Sequence, residues 1–144
     1  MNNKSYLLDT NICVFYLRGK HNIDQRIDEI GWENCCISEI TMFELKIGAE
    51  LSLQKDGLDR STDLERFFSD IKILPITDAL DLAAHEKIRL RIAGTPCDDN
   101  FDLLIGCTAI VNNMICVTDN TKDFFRFENI QLENWIDRSI AKST

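Results

Sequence analysis

Three acidic residues, Asp9, Glu44 and Asp102, lie in apolar segments of the sequence, where a charged side chain requires an explanation. Asp9 ends the apolar run SYLL, which predicts a short buried strand. Asp102 shares a predicted helical face with Ile105 and Ala109, and we expect that face to pack against a sheet. An unpaired carboxylate is costly in such a place, so each acid should be paired, neutralised or bound to a cation.

Glu44 raises the same question on a second predicted helix. The polar stripe of that helix contains Glu39, Lys46 and Glu50, and at about 100° per residue Glu44 points away from it. Because no Lys or Arg lies on the faces that carry Glu44 and Asp102, a divalent cation is the simplest partner for both. Carboxylate oxygens suit Mg²⁺ or Mn²⁺, and a phosphodiester is a natural substrate for a site of that kind.

Purely structural roles also fit these positions. Asp is a preferred N-cap, so Asp9 is a candidate cap for the helix that follows it. Asp102 lies in the first turn of its helix, where the helix dipole favours a carboxylate. Asp98, Asp99 and Asn100 already supply capping groups there, so capping alone does not explain Asp102.

The elements that position these acids alternate between strands and helices. Strands are predicted over 5–8, 35–37, 72–76, 114–117 and 130–132, and helices over 10–16, 22–30, 39–53, 63–70, 78–93, 100–112 and, as a short turn or helix, 121–127. The segments 54–62 and 94–99 are predicted loops. This order predicts an α/β fold with a mostly parallel sheet covered on both faces. We expect a single domain over residues 1–144, because a chain of this length buries enough surface to fold alone.

Parallel sheets of this kind bind ligands at the carboxyl ends of their strands. Asp9 ends the first predicted strand, and Asp119 follows the strand predicted over 114–117. Glu44 and Asp102 lie on helices that follow strands or loops. We therefore expect all four carboxylates to converge at one edge of the sheet.

Composition limits what the chain can be. Its formal net charge is −8, which is unfavourable for binding nucleic acid unless the acids surround bound cations.

Six cysteines are present without a CxxC pair, and neither His21 nor His85 has a cysteine at zinc-ligand spacing. We therefore expect reduced thiols buried in the core, with Cys97 alone in a polar loop. No apolar run approaches a membrane span or the core of a signal peptide, which predicts a cytoplasmic protein that does not contact a membrane.

Four segments, taken in order, resemble a known family. They are YLLDTNICVFYL, ISEITMFELKIGAE, NFDLLIGCTAIVNNMICVTDNTKDFF and IQLENW, and together they run from about Tyr6 to Trp135. These segments are similar to the PIN-domain toxins of bacterial toxin–antitoxin pairs, the VapC type. The resemblance implies a PIN-like three-layer α/β/α sandwich and internal cleavage of RNA with Mg²⁺ or Mn²⁺. It also implies inhibition by a small cognate antitoxin protein, and homodimerisation.

The resemblance assigns catalytic, metal-binding roles to four acids. Asp9, Glu44 and Asp102 match the first three acids of the family. Asp119 is the preferred fourth acid because it lies nearest the end of a predicted strand, and Asp123 is the alternative. We expect these carboxylates to hold one or two cations.

Further residues are expected to support the site or to hold the substrate. By the same resemblance, Asn11 and Thr118 would hydrogen-bond within the site. Asp99 would contribute from further out, although capping is the role we expect of it first. The candidate RNA-binding residues, which an ordinary solvated helix face explains equally well, are Lys87, Arg89 and Arg91.

The chemistry expected of this site is metal-assisted hydrolysis, in which an activated water attacks the scissile phosphate in line. No Ser–His or Cys–His arrangement is evident in the sequence, which disfavours covalent catalysis. Two alternatives remain open. A phosphatase or phosphotransferase with an aspartyl nucleophile usually has a second acid two residues after the first, and here Asn11 stands in that place. The other alternative is a noncatalytic binding module with the PIN fold.

Overall fold

A computed structural model of the protein describes residues 4–138. Its centre is a sheet of five parallel strands in the order β3-β2-β1-β4-β5. The strands are β1 (Tyr6–Leu8), β2 (Cys35–Ser38), β3 (Lys72–Leu74), β4 (Ile115–Val117) and β5 (Gln131–Glu133). Leu8 pairs with Val117, so the residues that follow β1 and β4 are neighbours at the carboxyl edge. The parallel sheet predicted from the sequence is confirmed.

Seven α-helices connect and cover the strands in the described part of the chain. They are α1 (Thr10–Leu17), α2 (Ile23–Ile30), α3 (Glu39–Asp56), α4 (Ser61–Asp70), α5 (Leu80–Ile92), α6 (Asn100–Val111) and α7 (Thr121–Phe124). Short 3-10 turns at Trp32–Asn34 and Thr77–Ala79 precede β2 and α5. Within residues 4–138, no helix combines the length and the apolar character needed to cross a membrane.

The predicted elements all occur, with shifts at their ends. α3 continues to Asp56, so the first residues of the loop predicted over 54–62 are helical. The chain there is exposed and charged and gives no apolar periodicity to follow. Gly57, at φ +67°, then ends the helix in the left-handed conformation that glycine adopts without strain. The helix predicted to begin at Asp78 begins at Leu80, after a 3-10 turn.

Hydrophobic side chains of the sheet alternate between two cores. Tyr6 and Leu8 of β1 contribute to the core on one face, together with side chains of α1, α2 and α4. Leu7 contributes to the core on the other face, together with side chains of α5 and α6. α3 supplies Leu45 to the first core and Ile40 to the second. This arrangement confirms the three-layer α/β/α sandwich.

The cysteines are packing residues. All six are free and buried, and burial raises the pKa of Cys35 and Cys107 to about 12. The prediction of buried thiols is confirmed. Cys97 lies in the predicted loop, but its side chain is only 2% exposed and its sulfur lies 3.4 Å from the carbonyl oxygen of Asp99.

A glycine lets α6 pack closely on the segment that follows α7. A Cβ atom at Gly106 would lie 2.6 Å from the ring of Phe127, closer than carbon atoms approach without bonding. Phe127 is 2% exposed, so its ring has little room to move. Gly106 lies one turn after Asp102, and this contact therefore helps to set where α6 carries the Asp102 side chain.

Candidate metal centre

Asp9 lies directly after β1 and is 4% exposed. Its Oδ1 accepts a hydrogen bond from the backbone N–H of Thr10 at 2.7 Å, so it does cap α1. Its Oδ2 accepts a hydrogen bond from the Thr118 hydroxyl at 2.8 Å, a contact of the kind expected for Thr118. Burial raises the pKa of Asp9. The bonds from Thr118 and Thr10 oppose that rise, whereas the charges of Glu44 and Asp99 add to it.

Asp102 approaches the same region from α6. Asp99 caps this helix by accepting hydrogen bonds from two backbone N–H groups at 3.0 and 3.2 Å, so capping does not use the Asp102 carboxylate. The pKa of Asp102 is raised to about 7, by burial first and then by the charges of Asp9, Asp99, Glu44 and Asp123. Such a shift means that these carboxylates repel one another in a poorly solvated place.

Glu44 is carried to the site by α3. This helix begins directly after β2, where the Ser38 Oγ accepts a hydrogen bond from the backbone N–H of Ile40 at 3.0 Å, as the predicted N-cap should. The Glu44 Oε1 accepts a hydrogen bond from the Thr10 hydroxyl at 2.7 Å. The same hydroxyl oxygen lies 3.0 Å from the Thr41 Oγ1. Thr10 therefore contacts both neighbouring acids, one through its backbone and the other through its side chain.

Thr10 and Thr41 are site residues that the sequence-based reasoning misses. A signal for both is present, because Thr10 follows Asp9 directly and Thr41 precedes Glu44 by three residues. Three residues is about one helical turn, which places Thr41 and Glu44 on the same side of α3. Threonine is common in the first turn of a helix, so this spacing does not by itself predict a site. The contact between the two threonines exists only because α1 and α3 pack against each other in the fold.

Among residues 4–138, the three central carboxylates, those of Asp9, Glu44 and Asp102, form no ion pair. Their oxygens are ligands that suit Mg²⁺ and Mn²⁺, and a divalent cation would relieve the repulsion that raises the pKa of Asp102. In the part of the chain that the structure describes, no three His, Cys, Asp or Glu side chains already form a metal-ligand cluster. Side-chain adjustment and water would have to complete the coordination.

Asp119, the preferred fourth acid, is engaged elsewhere. Its two oxygens accept hydrogen bonds from Arg138 at 2.6 and 2.7 Å, and one also accepts from Asn134 at 3.2 Å. The pairing with Arg138 lowers its pKa. Asp123 is instead among the charges that raise the pKa of Asp102. Closeness to the strand end did not reveal the partner that Asp119 has in Arg138. The choice between Asp119 and Asp123 as the fourth acid stays a prediction.

Two of the basic residues predicted to hold RNA are used within the protein. The Lys87 ammonium donates to the carbonyl oxygen of Cys97 at 2.9 Å and to the side-chain oxygen of Asn100 at 2.6 Å. These bonds fasten the loop before α6 to α5. Arg89 pairs with the buried carboxylate of Glu86. These contacts give Lys87 and Arg89 roles within the fold, and the contact with RNA expected of them stays a prediction.

Arg91 and Asn11 keep exposed side chains. Arg91 lies in the last turn of α5, and Asn11 lies in the first turn of α1, two residues after Asp9. The contact with RNA expected of Arg91 and the hydrogen bonding within the site expected of Asn11 both stay predictions.

Comparisons with known proteins agree with this fold. The PIN domain family matches residues 6–130. The tRNA(fMet)-specific endonuclease VapC of Salmonella typhimurium is 32% identical over 132 residues, which are 90% of this chain and 97% of that protein. Ribonuclease VapC2 of Rickettsia felis is 34% identical over 134 residues, with the same coverage of 90% and 97%. The crystal structure of DNA-bound VapBC from Salmonella typhimurium matches 92% of this chain and 98% of its own, at 30% identity and a TM-score of 0.81. The chain therefore belongs to the PIN-domain family, among its VapC members.

Proposed function

We propose that the protein is a metal-dependent endoribonuclease and the toxin of a toxin–antitoxin pair, acting as a single domain in the cytoplasm. The observation that supports this most strongly is electrostatic. Asp9, Glu44 and Asp102 repel one another at one edge of the sheet, and no ion pair within residues 4–138 compensates them. Asp123 is the fourth acid in this proposal. VapC relatives that are 32% and 34% identical are named endonuclease and ribonuclease.

The carboxylates of Asp9, Glu44 and Asp102 would hold Mg²⁺ or Mn²⁺. When bound, such an ion supplies positive charge to the phosphate oxygens and lowers the pKa of a nearby water. The protein contributes fixed orientation: the Thr118 hydroxyl and the Thr10 N–H hold the two oxygens of Asp9, and the Thr10 hydroxyl holds Glu44. Asp102, with a pKa of about 7, is partly protonated at neutral pH and acts as a ligand in its charged form.

The decisive experiment is a cleavage assay with purified protein and tRNA(fMet). This RNA is the first choice because the Salmonella typhimurium and Shigella flexneri relatives are named for it. We expect internal cleavage with Mg²⁺ or Mn²⁺ and none with EDTA. Asp9→Asn should abolish cleavage while α1 stays capped, since Asn is as good an N-cap as Asp.

The same preparation separates the two alternatives. An aspartyl phosphatase would release phosphate from small esters and leave RNA intact. A noncatalytic module would bind RNA or protein and cut nothing with any divalent ion. Either result, obtained with folded protein and a range of RNAs, would contradict the nuclease assignment.

The antitoxin is proposed to bind in the groove between α1, α3 and α4. This groove has a volume of about 110 Å³, and its apolar lining includes Val14, Leu17, Leu45 and Leu64. Glu44 lines the same groove. An amphipathic segment with a basic residue beside its apolar face would place that side chain against Glu44.

Coexpression tests the toxin assignment separately from the nuclease assignment. The small basic product of a neighbouring reading frame should copurify with the chain and suppress cleavage. Leu17→Asp should weaken that complex, because it places a charge in the apolar lining, while free enzyme should still cut RNA. Failure of any such product to bind would contradict the toxin role and leave the nuclease role standing.

Homodimerisation is also proposed. Several large apolar side chains of the described residues are exposed, with Ile92 at 81% and Phe125 at 67%, and a second copy of the chain would cover surface of this kind. Light scattering should then give twice the chain mass of 16.6 kDa. A monomer at all concentrations would contradict the proposal.

A further inference from the structure

The hydroxyl groups of Thr10 and Thr41 form a hydrogen-bonded chain that ends at Glu44, one of the proposed metal ligands. The Thr10 Oγ1 lies 2.7 Å from the Glu44 Oε1 and 3.0 Å from the Thr41 Oγ1. A carboxylate can only accept hydrogen bonds, so Thr10 gives its single hydroxyl proton to Glu44. The proton between the two threonines must then come from Thr41. The direction of the chain is therefore Thr41 to Thr10 to Glu44.

The burial of Thr41 makes this chain specific. Its side chain has no exposed surface, so water does not offer its hydroxyl an alternative. No buried side-chain oxygen or nitrogen of the described residues lacks a hydrogen-bond partner, and the partner of Thr41 is Thr10. A buried hydroxyl without a partner is costly. The Thr41 hydroxyl thus holds Thr10 in one rotamer, and Thr10 is its hydrogen-bond partner among the described residues.

Thr10 also joins the two acids. Its backbone N–H donates to the Asp9 Oδ1 at 2.7 Å, while its hydroxyl donates to the Glu44 Oε1. The separation of these two donors is set by the covalent structure of a single residue in the first turn of α1. The Glu44 Oε2 accepts no hydrogen bond from residues 4–138, so that oxygen is the one left for a cation.

We infer that Thr41 and Thr10 form a positioning relay that holds the Glu44 Oε1 at the Thr10 hydroxyl and leaves Oε2 to bind the divalent cation that the site would hold. The relay rests on the proposed nuclease function. Glu44 is only partly buried, and the neighbouring carboxylates repel it, so without the relay its side chain would turn toward solvent. Removing a hydrogen bond that orients a metal ligand lowers metal affinity or activity by about 10- to 100-fold.

The test measures Mn²⁺ binding directly, by electron paramagnetic resonance, together with cleavage of RNA by the same full-length protein. The double variant Thr10→Val/Thr41→Val removes both hydroxyls and leaves neither without a partner. We expect about tenfold weaker Mn²⁺ binding. Cleavage should need correspondingly more Mn²⁺, while kcat at saturating Mn²⁺ falls less. The variant Thr10→Ser/Thr41→Ser keeps both hydroxyls and should restore tight binding.

Thr108→Val is the matched control. Thr108 is as fully buried as Thr41, but its hydroxyl donates to the Leu104 carbonyl of its own helix at 2.7 Å. This variant should bind Mn²⁺ like the wild type. If the double valine variant does not fold, Thr41→Val alone serves, because it removes the donor behind Thr10 and should give a smaller loss of the same sign.

The outcomes separate the relay from the function on which it rests. A folded double valine variant that binds Mn²⁺ as tightly as the wild type would overturn the relay alone. So would an equal loss in the valine and serine variants, because only the valine variants lack the hydroxyls. Wild-type protein that neither binds Mn²⁺ nor cuts RNA would overturn the proposed function, and the relay with it.

Discussion

Two buried acidic regions of this protein have opposite electrostatics. Glu86, on α5, is 1% exposed, pairs with Arg89 and accepts a hydrogen bond from the backbone N–H of Glu128 at 2.7 Å. These contacts lower the pKa of Glu86, the bond from Arg89 most of all. Asp9 is 4% exposed and Asp102 is partly buried, and burial is the first cause of the raised pKa of each.

The difference lies in where the counter-charge comes from. Arg89 follows Glu86 by three residues on the same helix, so that carboxylate folds together with its cation. The acids at the carboxyl edge of the sheet come from β1, α3 and α6, and they meet mainly other acids. Burial alone therefore does not mark a functional carboxylate. A buried carboxylate that also lacks a protein counter-ion does mark a functional site, because such a site is stable only when it takes up protons or metal.

Asp102→Asn should remove the activity of the acidic site and leave the fold intact. We expect RNA cleavage to fall by at least about 100-fold, because even groups that merely orient a metal ligand contribute up to that much. The free energy of unfolding in EDTA should be unchanged or higher, since the substitution removes a repelled charge. Single-turnover cleavage and urea unfolding of the same sample measure both quantities. Normal cleavage by this variant would remove Asp102 from the site.

Glu86→Ala should have the opposite effects, a loss of stability with little change in cleavage. It removes one acceptor of Arg89 and the acceptor of the Glu128 N–H, so we expect a loss of about 1 to 3 kcal/mol in the free energy of unfolding. Cleavage by the folded fraction should stay near that of the wild type. Glu128→Ala is the matched control, because Glu128 is the exposed partner of Arg89 at 3.5 Å, and it should cost less than about 0.5 kcal/mol. Equal losses in the two variants would contradict the role of burial.

Stability should also depend on pH in opposite senses in the two regions. The native pKa of Asp102 is about 7 against an ordinary value of 3.8, so between these pH values the folded protein binds more protons than the unfolded chain. Without metal, stability should therefore fall as the pH rises from about 4 to 7, by about 1 to 2 kcal/mol after allowance for solvent. Asp102→Asn should flatten this fall. Glu86 has a lowered pKa, so its contribution to stability is instead lost as the pH drops below 4.5, the ordinary pKa of a glutamate.

Urea unfolding from pH 4 to 8 in EDTA, repeated with Mg²⁺, checks the pH dependence. Mg²⁺ binds the deprotonated carboxylates, so its stabilising effect should increase with pH and offset the fall seen without metal. An identical pH dependence in the wild type and Asp102→Asn would contradict the assignment of the raised pKa to this residue.

The smallest expected effects concern the fourth acid. Asp123→Asn should lower cleavage by about tenfold, as expected for a group at the edge of a metal site. Asp119→Asn should leave cleavage nearly unchanged and cost less than about 1 kcal/mol of stability, because its partner Arg138 is exposed. The two variants are compared in the same cleavage and unfolding assays. A larger loss of cleavage in Asp119→Asn would restore the preference drawn from the sequence.

Much of the fold is predictable because its signals are local. The apolar run before Asp9 predicts β1, and the capping group Asp99 followed by an apolar segment predicts the start of α6 at the observed residue. The end of α3 is not predictable in the same way. Its last turn is exposed and charged, and only Gly57 marks the stop.

The site is predictable where a side chain conflicts with its local surroundings. Asp9, Glu44 and Asp102 are acids in apolar contexts, and that conflict is visible in the sequence. The pair of Asp119 with Arg138 joins residues 19 apart, and the contact of Thr10 with Thr41 joins residues 31 apart. No periodicity connects such pairs, so only the folded chain reveals them.

The close approach at Gly106 bears on which substitutions the proposed site tolerates. Gly106→Ala would keep every acid of this chain and still bring a methyl group within 2.6 Å of the Phe127 ring. Either the ring or α6 would have to shift, and a shift of α6 would carry Asp102 with it. A residue without a side chain thus contributes to where a proposed metal ligand lies.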